Sequence, residues 1–223
     1  GVDDYVEAAN DASLNFDTGD SFTLSAWIQT IDADGIIVSK GVGNNYYYLG
    51  LSGGMLTGTI SSDTDGTLDY ATLSTTVLQG VLNDGGWHYV AMSINPSSDR
   101  GFKLFVDQYM VQEDSAMGVG DLTNSNPLNI GRDSGTESNY LGGTIDQVEI
   151  WNWALEERDI KENFTSVASV AGIAPALTDP IPDSFTFPED TTARKLVNVT
   201  NYFSDIWDTN LQIEYTLVPA IID

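Results

Sequence analysis

Alternation with a period of two recurs along the first two-thirds of this chain and confines it to β-structure. In Phe22-Thr23-Leu24-Ser25-Ala26-Trp27-Ile28, the residues Phe22, Leu24, Ala26 and Ile28 fall on one face of an extended segment. Comparable apolar runs follow at 35–39, 46–51, 55–60, 70–75, 87–94, 102–106, 110–112 and 127–130. Loops rich in Gly, Asn, Asp and Ser separate them, such as Asn83-Asp84-Gly85-Gly86. Many short strands joined by such turns predict an all-β, two-sheet sandwich over residues 1–167.

One helix interrupts the pattern. Residues 154–164 set Leu155, Ile160 and Phe164 at helical spacing, with acids in the first turns where the helix dipole favours them. A linker is expected over 168–183, ending in the Pro/Asp-rich Thr178-Asp179-Pro180-Ile181-Pro182-Asp183. Residues 184–223 resume strand-like pattern, as in Lys195-Leu196-Val197-Asn198-Val199. Three such segments are too few to bury a sandwich alone. They read as a partial β-unit, either truncated or completed on a neighbour.

Charge narrows the partners. The chain carries 33 Asp+Glu against 8 Lys+Arg, a formal net charge of -25. Such a surface repels nucleic acid and anionic lipid and attracts cations. No run is apolar enough to insert in a membrane as a helix. There is no cysteine, so neither a disulfide nor a thiol nucleophile is available. Gly1 stands where a start residue would be Met, which predicts a mature product or an excised piece of something longer.

Two acids break the apolar alternation. In Gly143-Thr144-Ile145-Asp146-Gln147-Val148-Glu149-Ile150-Trp151, a regular strand gives Asp146 the same face as Val148 and Ile150. Asp4 likewise has the parity of Val6 and Ala8. A desolvated carboxylate needs compensation. Two readings are open: a bound metal ion, calcium fitting best as a hard cation with oxygen ligands, or hydrogen bonds from backbone amides or a pairing with Lys40 or Arg132.

The order of several motifs carries a family resemblance. Asp3-Asp4-Tyr5-Val6-Glu7 is followed by the Phe22 to Ile28 segment, Ile37-Val38-Ser39-Lys40-Gly41 and Gly85-Gly86-Trp87-His88-Tyr89-Val90-Ala91. Then come Lys103-Leu104-Phe105-Val106-Asp107, Leu128-Asn129-Ile130-Gly131-Arg132 and the segment from Gly143 to Leu155. This order resembles the laminin G-like, concanavalin A-like jelly-roll domains of extracellular proteins. The resemblance implies that the first and last strands lie side by side, so that Asp4 and Asp146 ligate calcium with help from the carbonyl of Gly41. Pro180-Ile181-Pro182-Asp183, Phe187-Pro188-Glu189-Asp190-Thr191 and Tyr202-Phe203-Ser204-Asp205 resemble the start of a cadherin-like domain.

For a ligand, Tyr46 and Tyr48 share one face of their strand and offer a sugar platform, with Asp133 on a loop at its rim. Catalysis on such a fold needs two carboxylates on one face. By simple parity, Glu149 shares a face with Gln147 and not with Asp146. His88 sits beside Trp87 on a core strand and reads as structural, and no nucleophile-elbow motif accompanies it. The expected function is a non-enzymatic, calcium-stabilised adhesion or carbohydrate-binding module, secreted or at the cell surface, with a glycan or a surface protein as partner. The alternatives are a filament or sheath subunit self-associating through its C-terminal segment, and a polysaccharide lyase or hydrolase.

Overall fold

The computed structural model describes residues 3–64, 67–171 and 195–199. Its strands are β1 (Val6–Ala8), β2 (Phe22–Thr30), β3 (Gly35–Val42), β4 (Asn45–Ser52), β5 (Met55–Thr64) and β6 (Thr67–Ser74). They continue as β7 (Trp87–Ile94), β8 (Phe102–Val106), β9 (Tyr109–Asp114), β10 (Leu128–Ile130), β11 (Gly143–Trp151) and β12 (Lys195–Val199). One helix, α1 (Glu157–Ala171), follows β11. The strands form two six-stranded antiparallel sheets, in the order β1-β10-β3-β4-β5-β6 and β12-β11-β2-β7-β8-β9. This is a jelly-roll sandwich, as the alternation predicts.

The core lies between the sheets. Phe22, Leu24, Ala26 and Ile28 of β2 are fully buried with Tyr47, Leu49, Leu56, Ile60, Met92 and Leu104. Phe16 stacks on Phe22 at 4.2 Å between ring centroids. The Tyr47 hydroxyl donates to the Leu14 carbonyl at 2.9 Å, so the ring is buried without stranding its polar tip. Gly58 lets the sheets approach, since a Cβ there would sit 2.6 Å from Met92 Sδ.

The second sheet is buried on its outer face too. Trp27, Tyr89, Ala91 and Phe105 pack there against Leu155 and Ile160, while Phe164 of α1 stacks on Trp27 at 5.4 Å. The segment before α1 is tied to β2: the Thr23 hydroxyl donates to the Trp153 carbonyl and accepts from the Leu155 amide, each at 2.9 Å. Leu155, Ile160 and Phe164 therefore face the sheet as their spacing predicts, although the helix starts at Glu157 and runs to Ala171, into the expected linker.

β11 departs from a regular strand. Asp146 lies opposite Trp27 and Glu149 opposite Ser25, so Gln147 and Val148 together face the single residue Ala26. Gln147 takes a left-handed φ of 47°. This is a β-bulge, which reverses side-chain parity across it. Val148 and Ile150 point into the core, but Asp146 shares the outer, α1-covered face with Trp27 and Glu149.

The strand expected at Lys195–Val199 forms, and its hydrogen-bonded neighbour is β11 of the sandwich. The cadherin-like motifs at 180–183, 187–191 and 202–205, and the rest of the expected linker, lie outside the described residues.

Candidate functional site

On the outer face of the first sheet, residues line up by register. Glu7, Asn129, Ser39, Tyr48, Thr59 and Thr72 form one row across all six strands. In the adjacent row, Tyr46 sits between Gly41 and Ser61. Tyr46 and Tyr48 are half-buried, with nearly parallel rings 6.2 Å apart. Around them lie hydroxyls. Thr59 pairs with Thr72 at 2.9 Å and Thr57 with Ser74 at 3.0 Å. Ser61 Oγ is buried and has no hydrogen-bond partner among the described residues.

One loop borders this face. Ser39, opposite Tyr48, donates its hydroxyl to the Arg132 carbonyl at 2.8 Å and accepts from the Ser134 amide at 2.7 Å. The loop after β10 is thereby fixed beside the tyrosines. Asp133 turns that loop: its Oδ1 accepts from the Gly135 and Thr136 amides at 2.7 and 2.9 Å. Its carboxylate is thus partly committed to its own backbone.

Two cations nearby are committed as well. Arg132 is buried with its guanidinium 3.5 Å over the Tyr5 ring. It donates to Asn129 Oδ1 at 2.8 Å and Glu7 Oε2 at 3.1 Å. Lys40 lies opposite Tyr47 and so points inward. Its ammonium donates to Asn15 Oδ1 at 2.8 Å and to the backbone and side-chain oxygens of Asn124 at 3.1 and 3.0 Å. Burial pulls its pKa down to about 8.

The pattern of residues 1–161 matches a family model, Laminin_G_3, described as the concanavalin A-like lectin/glucanases superfamily. The chain belongs to this family. Among solved structures, the concanavalin A-like domain is similar to three binding or laminin domains. The binding domain of Paraclostridial Mosquitocidal Protein 1 has 17% identity and a TM-score of 0.55, over 74% of this chain and 44% of that one. The botulinum neurotoxin serotype G binding domain has 10% identity and a TM-score of 0.57, over 74% and 42%. Domains LG4-5 of the mouse laminin alpha1 chain have 18% identity and a TM-score of 0.52, over 71% and 42%. The domain spans less than half the length of each. At these identities the likeness is one of fold. Comparison with curated proteins gives no match.

Within this concanavalin A-like domain, the residues expected to hold calcium do not come together. Asp4 is exposed and precedes β1, which pairs with β10 at the edge of the first sheet. Asp146 belongs to β11 of the second sheet, and the bulge turns it outward, under the α1 layer. Its Oδ1 accepts from the Gln147 amide at 2.7 Å, as the amide-bonded reading of this acid expects. Gly41 lies on the first sheet opposite Tyr46. Its φ of 98° and the Asn45 carbonyl, which a Cβ would strike, require glycine at this position near the end of β3. Among the described residues, no group of three His, Cys, Asp or Glu is arranged to hold a metal ion. The pairings of Asp146 with Lys40 or Arg132 do not form either, since Lys40 is held by Asn15 and Asn124, and Arg132 by Glu7 and Asn129.

The bulge also revises the carboxylate geometry. Asp146 and Glu149 share one face after all, but both are buried under the α1 layer. His88 sits at the end of β7 between two acids, Nε2 3.3 Å from Asp84 and Nδ1 3.5 Å from Asp107. The Asp107 contact, reinforced by Asp84, raises its pKa against the opposing effect of burial. The amide of Gly86 and the His88 ring hold Asp84 below the usual carboxylate range. His88 clamps a loop to the β8–β9 turn, a structural role as its motif suggests.

Sequence reasoning singled out Tyr46, Tyr48 and Asp133, which the structure places on the first sheet and its bordering loop, and did not single out Ser61 or the Arg132 network. Ser61 is legible only by register, as the residue facing Tyr46 across strands. No local signal marks it.

Proposed function

We propose that this concanavalin A-like domain is a non-catalytic glycan-binding module of an extracellular or cell-surface protein, and that it holds its ligand on the outer face of the first sheet. The observation that carries this reading is the Tyr46–Tyr48 pair, half-exposed beside the hydroxyl side chains of Ser39, Thr59 and Ser61 on the neighbouring strands. Aromatic rings give a sugar an apolar surface, and flanking hydroxyls supply orienting polar groups. The loop at Asp133 forms a wall on one side. The family includes lectins, and two similar structures are named as binding domains, which supports the reading.

Catalysis is not part of it. Asp146 and Glu149, which share a face of β11 across the bulge, are both buried. Self-association through the C-terminal segment is left out as well: its described residues, Lys195–Val199, pair with β11 of the same chain. Calcium at Asp4, Asp146 and Gly41 is likewise left out, because those residues sit on different sheets and faces.

The test is titration calorimetry with a panel of oligosaccharides, comparing wild type with Tyr46→Ala and Tyr48→Ala. Binding that either variant weakens by roughly tenfold supports the face, a loss of about 1.4 kcal/mol. Binding that both variants retain unchanged places the ligand elsewhere and overturns the reading.

A further inference from the structure

We infer that the glycan held by this face is uncharged: a chain of neutral hexoses without uronate or sulfate groups. The inference rests on the glycan-binding reading above and narrows its ligand. Recognition of carboxylate or sulfate uses free guanidinium or ammonium groups. Among residues 3–171, no cation is left free on this face. Arg132, the nearest, is stacked on Tyr5 and bonded to Asn129 and Glu7. Lys40 is turned into the core and bound by three oxygens. Arg100 and Lys103 are paired with Glu113 and Glu156 beside the second sheet, and Arg158 and Lys161 lie on α1.

What the face does present suits neutral sugar. The rim carries carboxylates, Glu7 at one end of the row and Asp133 and Glu137 on the bordering loop. In a chain of net charge -25 they repel an anionic ligand and leave a neutral one unaffected. Ser61 Oγ is buried opposite Tyr46 with no hydrogen-bond partner among the described residues. A hydroxyl both donates and accepts, which matches the hydroxyls of a pyranose. Leaving such a buried group unbonded is unfavourable, so a sugar hydroxyl reaching it beside the Tyr46 ring adds a bond that the free domain lacks.

The experiment compares neutral gluco-, manno- and galacto-oligosaccharides with heparin and polygalacturonate fragments of equal length, by calorimetry at low and high salt. The expected result is binding of at least one neutral series, insensitive to salt, weakened roughly tenfold by Tyr46→Ala and several-fold by Ser61→Ala. The thermal melt of each variant separates misfolding from lost contact. Binding of heparin or polygalacturonate that Tyr46→Ala abolishes overturns the charge class while keeping the face. Binding of any glycan that neither Tyr46→Ala nor Tyr48→Ala affects overturns the face itself. Absence of binding across the whole panel overturns both.

Discussion

The outer faces of the two sheets start from the same alternating pattern and end in opposite states. On the second sheet the outward residues are large, Trp27, Tyr89 and Phe105, and α1 with the segment before it covers them. On the first sheet the outward residues around Tyr46 and Tyr48 are small and hydroxylic, among them Ser39, Thr57, Thr59, Ser61 and Thr72. The lesson is thermodynamic. Burying aromatic area against a helix stabilises the fold by about 25 cal/mol per Å² of apolar surface. A face lined with Ser and Thr offers little of this.

The sharpest way to break this comparison is to loosen the helix. Ile160→Ala, at a fully buried site on the sheet-facing side of α1, is expected to cost about 2–5 kcal/mol. Thr72→Ala, on the outer face of the first sheet, should cost about 1 kcal/mol or less, the scale of one hydrogen bond. Urea unfolding of both variants measures the gap, and equal losses would mean that α1 contributes no more than the outer face of the first sheet.

Next in size is the buried ammonium. Lys40→Met leaves oxygens of Asn15 and Asn124 without their donor, an expected loss of about 1–3 kcal/mol. The same denaturation experiment reads it, and an unchanged midpoint would show that water replaces the ammonium at no cost.

A smaller effect belongs to the clamp at the end of β7. His88 has a raised pKa in the folded state, so its stabilisation is fully present below the unfolded value of 6.5 and is lost as pH rises through the folded value. Because Asp84 and Asp107 are partly exposed, the contribution should stay under about 1 kcal/mol. Melting temperatures followed against pH should show the drop in wild type and not in His88→Gln.

The smallest expected difference concerns calcium. Calcium and magnesium should raise the melt of EDTA-treated protein alike, by screening the acidic surface. Asp146→Asn should keep that response. A calcium-specific rise lost in this variant would restore Asp146 as a ligand.

Much of this was legible beforehand for a local reason. β7 and β8 match the alternating runs to the residue, and Phe22, Leu24, Ala26 and Ile28 face the core as parity requires. Asp146 was misplaced because parity holds only for a regular strand. One residue, Gln147, in a left-handed conformation reversed it, and the sequence around it carries no glycine to announce the bulge. The first strand was expected beside the last and pairs instead with β10, a choice made by sheet topology rather than by any residue in β1.

By itself the sequence determined the fold class, the inward faces of most strands, the helix face and the tyrosine pair, since each follows from the period of side-chain direction within one element. Only the tertiary structure decided which acids meet, where Lys40 and Arg132 find their partners, that α1 seals one sheet, and that Ser61 stands opposite Tyr46. Those facts depend on register and packing between residues far apart in the chain, which local periodicity does not encode.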